Sequence, residues 1–393
     1  MLKRLMAGLV VLASLATVGM AQAAEPIRIG FSLAQTGLFA AAAPSQLNAY
    51  ELWRDQVNAA GGLNIGGEQR LIEFVMYDDR SDPAEAVRIY EKLITEDKVD
   101  LLLAPWGTPH HFAIAGVLEK HGFPVVGNSA ASVQLRDINP GNIWFPTSAI
   151  PDRMAEELVK LMQTQGVESV AIITNQLPFS LEIKQFLVPA LEAAGITIAV
   201  NDEYPPDVQD MTAMLTGIAS AAPDAIIALS YPSDSVLYMN QARELGVNAP
   251  FHFVLVGPTI DFFAGMFGPA LDGIVTIGHW SPYNTDWPRA RPFFDAYVAK
   301  YGTPPDYLDS ALAYMSCEIL EQAVAEAGLD HDKLREVIST ETFDTINGPV
   351  KFEGVSNATT PTAFLQFQNG EAHLVWPDSI ATAPFQPKGP WPQ

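Results

Sequence analysis

"FPVVGNSAAS", residues 123–132, passes from a short apolar stretch straight into small polar residues. Val125 and Val126 suit a buried strand, and Gly127, Asn128, Ser129, Ala130, Ala131 and Ser132 end it abruptly. Two chemistries fit such a stop. One is a nucleophile turn of the G-x-S-x-G kind; the other is a cradle of backbone N–H groups and hydroxyls that holds a ligand. The surrounding sequence has to choose between them.

Strand-like and helix-like runs alternate on both sides of this stretch. "IRIGFSL" reads as a strand, and "SQLNAYELWRDQVNAAGG" follows with Leu47, Tyr50, Trp53 and Val57 on one helical face, closed by Gly61 and Gly62. "LIEFVMYDD" is the next strand. "DPAEAVRIYEKLI" is a helix with Asp82 as N-cap, Pro83 in its first turn and Glu85 placed to reach back. "VDLLLAPWG", "HFAIAGVLEKHG" and "FPVVGN" repeat the rhythm as strand, helix and strand. Strands apolar on both faces and separated by helices imply a parallel sheet covered on both sides.

The pattern breaks between Trp144 and Pro151 and then restarts as a second α/β half. "IPDRMAEELVKLMQTQG" is a helix, and "VESVAIIT", "DAIIALSY" and "FHFVLVG" are strands. Pro189 within "LEIKQFLVPALEAAG" is expected to bend or split that helix. "TINGPVKFEG" and "TAFLQFQNGEAHLVW" switch to period-two alternation, the second around an Asn369-Gly370 hairpin turn. The tail from Pro384 reads as irregular.

Composition bounds what such a chain does. Lys3 and Arg4, an apolar run from Leu5 to about Met20, and Ala21-Gln22-Ala23 form a cleavable secretory leader, too short to span a bilayer comfortably. The only cysteine is Cys317, so the expected mature chain has neither an internal disulfide nor an acylated cysteine at its start, and its stability must come from its core. Without Lys3 and Arg4 the net charge is −25, from 20 basic against 45 acidic residues. That excess repels nucleic acid and anionic membrane surfaces.

In an open parallel sheet, ligands bind beyond the carboxyl ends of the strands. The residues there are Gln35, Thr36 and Gly37 after the first strand, Trp106, Gly107 and Thr108 after the third, and Asn128 to Ser132 after the fourth. Each set alone fits simple helix capping, but three such loops at one sheet edge fit a ligand cradle. The second half adds aromatics at matching strand ends, namely Phe179, Tyr231 and Trp280, to complement Phe39 and Trp106 of the first. A nucleophile elbow would need Gly where Ala131 stands, with an acid and a histidine in order downstream; His252, His279, His331 and His373 have no recognisable setting for it. His110-His111 are adjacent and project about 100° apart, so they do not share a tetrahedral ion. "DDRSDP" lacks EF-hand spacing, and neither a Walker A run nor G-x-G-x-x-G occurs. No metal and no cofactor is expected.

"IRIGFSLAQTG", "YDDRSDPAEAVRIYEKLI", "GFPVVGNSAAS", "QARELG" and "KYGTPPDYLDSALAYMSCEILEQAV" together, in this order, resemble the solute-binding proteins of ABC transporters, specifically the leucine/isoleucine/valine-binding-like family. The resemblance covers nearly the whole mature chain. It implies an α/β fold of two doubly wound parallel-sheet lobes joined by a three-segment hinge, the periplasmic binding protein type 1 architecture. The implied hinge segments are residues 145–149, 278–282 and 345–349. The implied parts are a leader (1–23), one lobe from 24–147 plus 280–345, a second from 148–279 plus 346–383, and an irregular tail (384–393).

The resemblance also implies the site. The ligand carboxylate sits on Ser129, Ala130, Ala131 and Ser132 beside Gly107 and Thr108, and Phe179 and Tyr231 close over it. The family's amino-acid binders carry an acidic residue where this chain has Thr259, in "GPTID". An ammonium desolvated without a partner costs roughly 3–5 kcal/mol. Either Asp234 or Asp261 replaces that acid, or the ligand is an apolar or aromatic acid without an amino group; the second is favoured here. The implied partners are this small carboxylate and a membrane permease, with the protein a periplasmic monomer and not an enzyme. Amino acid or amide binding, a sensory role, and an exported serine hydrolase are the competing readings.

Overall fold

The computed structural model describes residues 25–138 and 142–392. The expected leader lies outside the described residues. The first half builds on the strand Ile27–Leu33, flanked by Ile72–Asp78 and Leu101–Leu102, all parallel. Val125–Val126 and Ile143–Trp144 form a further parallel pair. Ile27, Ile29, Phe31 and Leu33 are buried on one face and Gly30 and Ser32 on the other, as a strand covered on both faces requires. The covering helices include Ala43–Ala59, Pro83–Thr95, Thr108–His121 and Asp309–Ala327. Asp82 caps Pro83–Thr95 by accepting from Ala84 N, whereas Glu85 turns outward to Arg80 and Arg88 instead of reaching back.

Gly62 ends the first long helix with φ +111°, and a Cβ there would sit 2.2 Å from the Arg70 carbonyl oxygen. Backbone cannot retreat as a side-chain end does. Gly62→Ala is therefore expected to cost at least about 2 kcal/mol, read as a lower urea midpoint.

The second half is a seven-stranded sheet. Its parallel part runs Thr197–Tyr204, Ser169–Asn175, Ala225–Leu229, Phe251–Val254 and Ile274–Ile277 across the sheet. Phe364–Gln368 and Glu371–Trp376 add to it antiparallel as the expected hairpin. Asn369 and Gly370 have φ +54° and +82°, the left-handed pair that a two-residue turn needs. The helix Pro178–Ala193 continues through Pro189, so of the expected bend or split the split does not occur. Buried Ile183, Leu187 and Leu191 hold that helix to the sheet on both sides of the missing hydrogen bond. Residues 384–392 contain no helix or strand yet are docked: Phe385 stacks on Phe251, and Trp391 Nε1 donates to Val247 O.

Two of the expected crossovers come together. Thr147 Oγ1 lies 2.8 Å from His279 Nε2, joining residues 145–149 to residues 278–282. The third expected segment, residues 345–349, contains the turn of a hairpin, where Thr345 pairs with Gly348. Gly348–Glu353 folds back on Thr342–Thr345 and packs against His331–Thr340 of the first half. Ser356 bridges to Phe145, so this hairpin stays with the first sheet. Further along the chain, Ser148 Oγ donates to Pro361 O and Thr362 Oγ1 donates to Ser148 O. The alternating pattern of residues 345–353 marked a strand correctly but did not say which half it joins.

Candidate ligand-binding site

Both sheets reverse their winding at the strands that face each other. In the first, the reversal lies between Ile27–Leu33 and Leu101–Leu102; in the second, between Ser169–Asn175 and Ala225–Leu229. A crevice opens where neighbouring loops depart to opposite faces. The loops after Leu102 and Val126, and those after Asn175 and Leu229, meet around one cavity.

The first side is polar and small. Trp106, Gly107, Thr108, Ser129, Ala130 and Ala131 all line it. Gly107 N donates to Ser129 Oγ at 3.2 Å, and Ser129 Oγ donates to Asn128 Oδ1 at 3.2 Å. Thr108 Oγ1 both donates to Ala131 O and accepts from Ala131 N, each at 3.3 Å. These bonds tie two loops into one surface. Gly107, at φ +80°, turns the chain into the helix Thr108–His121, whose first N–H groups have no acceptor within the helix. Hydroxyls, a helix N-terminus and alanines without bulk suit a carboxylate. Ser129 bonds no histidine among the described residues.

The opposite side is apolar. Phe179, Tyr231, Val256 and Ile277 come from the second sheet's loops and strand ends. Phe39 and Trp106 reach across, with ring centroids 5.8 and 6.2 Å from Tyr231. Ser233 Oγ donates to Leu38 O, and Gln134 N donates to Glu182 Oε1, so the halves touch on either flank. Thr147 and Ala149 of a crossover complete the wall.

Several expected contacts lie elsewhere. Gln35 and Thr36 are exposed and bind the Asp78 carboxylate; burial pushes that carboxyl up, but the Arg80 N–H first, and then the Thr36 and Gln35 donors, hold it below its usual range. Asn128 turns inward to Tyr50 Oη, and Ser132 Oγ accepts from Leu135 N as a helix cap. Asp234 is buried behind the cleft, accepting from Tyr204 Oη, Asn175 Nδ2 and Tyr231 N, so it is not a substitute for the missing acid. Trp280 is wholly buried among Phe293, Tyr307 and Phe294 in the core below the crossovers. Thr259 and Asp261 line a separate groove with Tyr283 and Tyr307.

One charged residue of the cavity went unread in the sequence. Leu308, Asp309 and Leu312, at the start of Asp309–Ala327, line its floor. Asp309 is 1 % exposed. Its Oδ2 accepts from Trp106 Nε1 at 3.0 Å, and its Oδ1 has no hydrogen-bond partner among the described residues. Burial, reinforced by the neighbouring Asp306, pushes its carboxyl well above the usual range. Among the described residues no group of three or more His, Cys, Asp or Glu is placed to hold a metal, and no helix is long and apolar enough to cross a membrane.

This architecture has known counterparts. The chain is 25% identical over 385 residues to the Leu/Ile/Val-binding protein homolog 7 of Brucella suis, covering 92% of this chain and 94% of that one. The branched-chain amino acid transporter substrate-binding protein LivJ of Streptococcus pneumoniae, solved with isoleucine, superposes with a TM-score of 0.78. It shares 23% identity, over 90% of this chain and all of its own. An ABC transporter solute-binding protein of R. palustris, solved with benzoate, superposes equally well at 21% identity, over 91% of this chain and 97% of its own. These two show the same fold around different ligands. The sequence profile described as periplasmic binding protein matches residues 26–372, and the chain belongs to that family.

Proposed function

We propose that this protein is the substrate-binding component of an ABC importer and captures a small carboxylate with an apolar body between its lobes. The observation that carries the reading is the single cavity with hydroxyls and a helix N-terminus on one wall and Phe179 and Tyr231 on the other. The carboxylate docks on Ser129, Thr108 and the adjoining backbone. Closure then adds the aromatic wall, and those added contacts shift the hinge equilibrium toward the form a permease accepts. The moving bodies are residues 24–147 plus 280–345 and residues 148–279 plus about 364–383, with residues 346–357 carried by the first. The chain works in the periplasm as an exported monomer, its leader removed, and as a binder without chemistry of its own.

A thermal-shift screen of the mature chain against amino acids, amides, aromatic acids and dicarboxylates tests this. A true ligand at 100 times its Kd adds ~2.7 kcal/mol. Ser129→Ala is expected to weaken the best hit about tenfold while leaving the ligand-free melting temperature nearly unchanged. A screen without a carboxylate hit would end the proposal, and so would ester or amide cleavage lost in Ser129→Ala.

A further inference from the structure

We infer that Asp234 is a positioning residue: it locks the two loops that carry Phe179 and Tyr231 into one rigid wall, and through that wall it slows the escape of a bound ligand. The inference rests on the binding role proposed above and adds to it what keeps the aromatic side of the cleft in shape. Asp234 stands in the first turn of the helix Pro232–Glu244, where an acid ordinarily caps a helix at the solvent surface. Here it is only 4 % exposed. Its Oδ1 accepts from Tyr231 N at 3.1 Å, which is the capping bond. Its Oδ2 accepts from Tyr204 Oη at 2.6 Å and from Asn175 Nδ2 at 3.0 Å, residues 30 and 59 positions away. A helix cap needs neither of these.

Each of these bonds leads to a part of the cleft. Asn175 ends the strand Ser169–Asn175, and its Oδ1 accepts from Leu177 N at 3.0 Å. That bond sets the turn into the helix Pro178–Ala193, whose first turn carries Phe179. Tyr231 lines the cavity itself. Tyr204, 2 % exposed at the end of Thr197–Tyr204, anchors the carboxylate to the sheet. The neighbours of Asp234 extend the same unit. Ser233 Oγ donates to Leu38 O of the first half, and Ser235 Oγ donates to the carbonyl of Val256, another residue of the apolar wall. One buried carboxylate thus joins both aromatic loops and stands beside a contact between the halves. Burial is costly for a carboxylate, and several donors at once are what offset it. A wall already in place loses less conformational freedom when the cleft shuts, so the closed form is held more firmly.

Asp234→Asn keeps the side-chain volume and turns one acceptor into a donor, so either Tyr231 N or the Tyr204 and Asn175 donors lose their acceptor. The test measures association and dissociation by stopped-flow fluorescence on the mature chain, with benzoate, 3-phenylpropanoate and L-isoleucine as probes. For the tightest of the three, Asp234→Asn is expected to speed dissociation about tenfold and to change association by less than about threefold. In a Tyr231→Leu background the same substitution should speed dissociation by less than about threefold, because the ring it positions is gone. A purely structural role gives no such coupling. Tyr204→Phe removes one donor and keeps the ring. It is expected to speed dissociation about threefold, an effect that vanishes in the Tyr231→Leu background, and it decides the matter even if Asp234→Asn does not fold. Unchanged dissociation in a folded variant, or an equal change with and without the Tyr231 ring, overturns the inference and leaves carboxylate capture standing. Failure of all three probes to bind the natural chain removes both.

Discussion

Trp280→Ala is expected to lower stability by about 3–5 kcal/mol, among the largest single losses available in this fold. The indole is fully buried, packs edge-on against Phe293 and Tyr307 with centroids 5.3 and 5.1 Å away, and donates from Nε1 to the Ile346 carbonyl at 3.1 Å. Removing it leaves a cavity beside a crossover and an unpaired carbonyl. Trp280→Phe keeps most of the ring volume and is expected to lose less than half as much. Urea midpoints for the two variants measure this. Calorimetric affinity for the best ligand should stay within a few-fold in whichever variant folds, since Trp280 does not line the cleft. Normal stability with lost binding would return the residue to the cleft.

His252 is expected to make stability depend on pH by about 3–5 kcal/mol. Its ring sits at the rim of the second sheet, with Nε2 2.6 Å from Tyr238 Oη, Nδ1 3.0 Å from Asn248 Oδ1 and Trp391 edge-on at 5.5 Å. Burial first, and the charge of Lys388 second, push its pKa down to about 3. The unfolded chain has the ordinary value near 6.5 and binds a proton that the folded state refuses. The contribution is therefore complete above pH 6.5 and lost progressively as the pH falls toward 3. Buried acids oppose it in the total: burial raises Asp306, Asp309 and Glu318, whose linkage has the opposite sign. The clean measurement is the stability difference between the natural chain and His252→Gln at pH 7.5 and pH 4.5. The natural chain's advantage should shrink or reverse at the lower pH. A pH-independent difference would show an imidazole that titrates normally.

Much of the fold was legible because its signals are local. Apolar runs such as Ile27–Leu33 and Ala225–Leu229, bounded by Gly, Pro and Asp, specify strands and their helices through a few neighbouring residues. The candidate site was legible in part. Ser129 and Thr108 follow strands of the first half and Phe179 and Tyr231 strands of the second, all at carboxyl ends, and they line one cavity. Asn128 and Ser132 carry the same chemistry a few residues away at most, but a change in loop direction aims the first at the Tyr50 hydroxyl and the second at the Leu135 amide. No composition rule separates these from Ser129.

Asp309 shows where local reading ended. In "PPDYLDSALAYMSC" it looks like an ordinary acid in a first helical turn. The usable hint was a second acid, three residues after Asp306, entering a helix apolar nearly all round, where neither carboxylate easily reaches water. By itself the sequence determined two α/β halves, the edge at which each presents its loops, and a small-residue cradle after Val126. Only the tertiary structure decided that Trp280 is core, that residues 348–353 pack with the first half, and that Asp309 lines the cleft with one oxygen unpaired. Periodicity is fixed by neighbours a few residues apart, whereas burial and aim depend on partners such as Trp106 and Asp309, brought together from 203 positions apart.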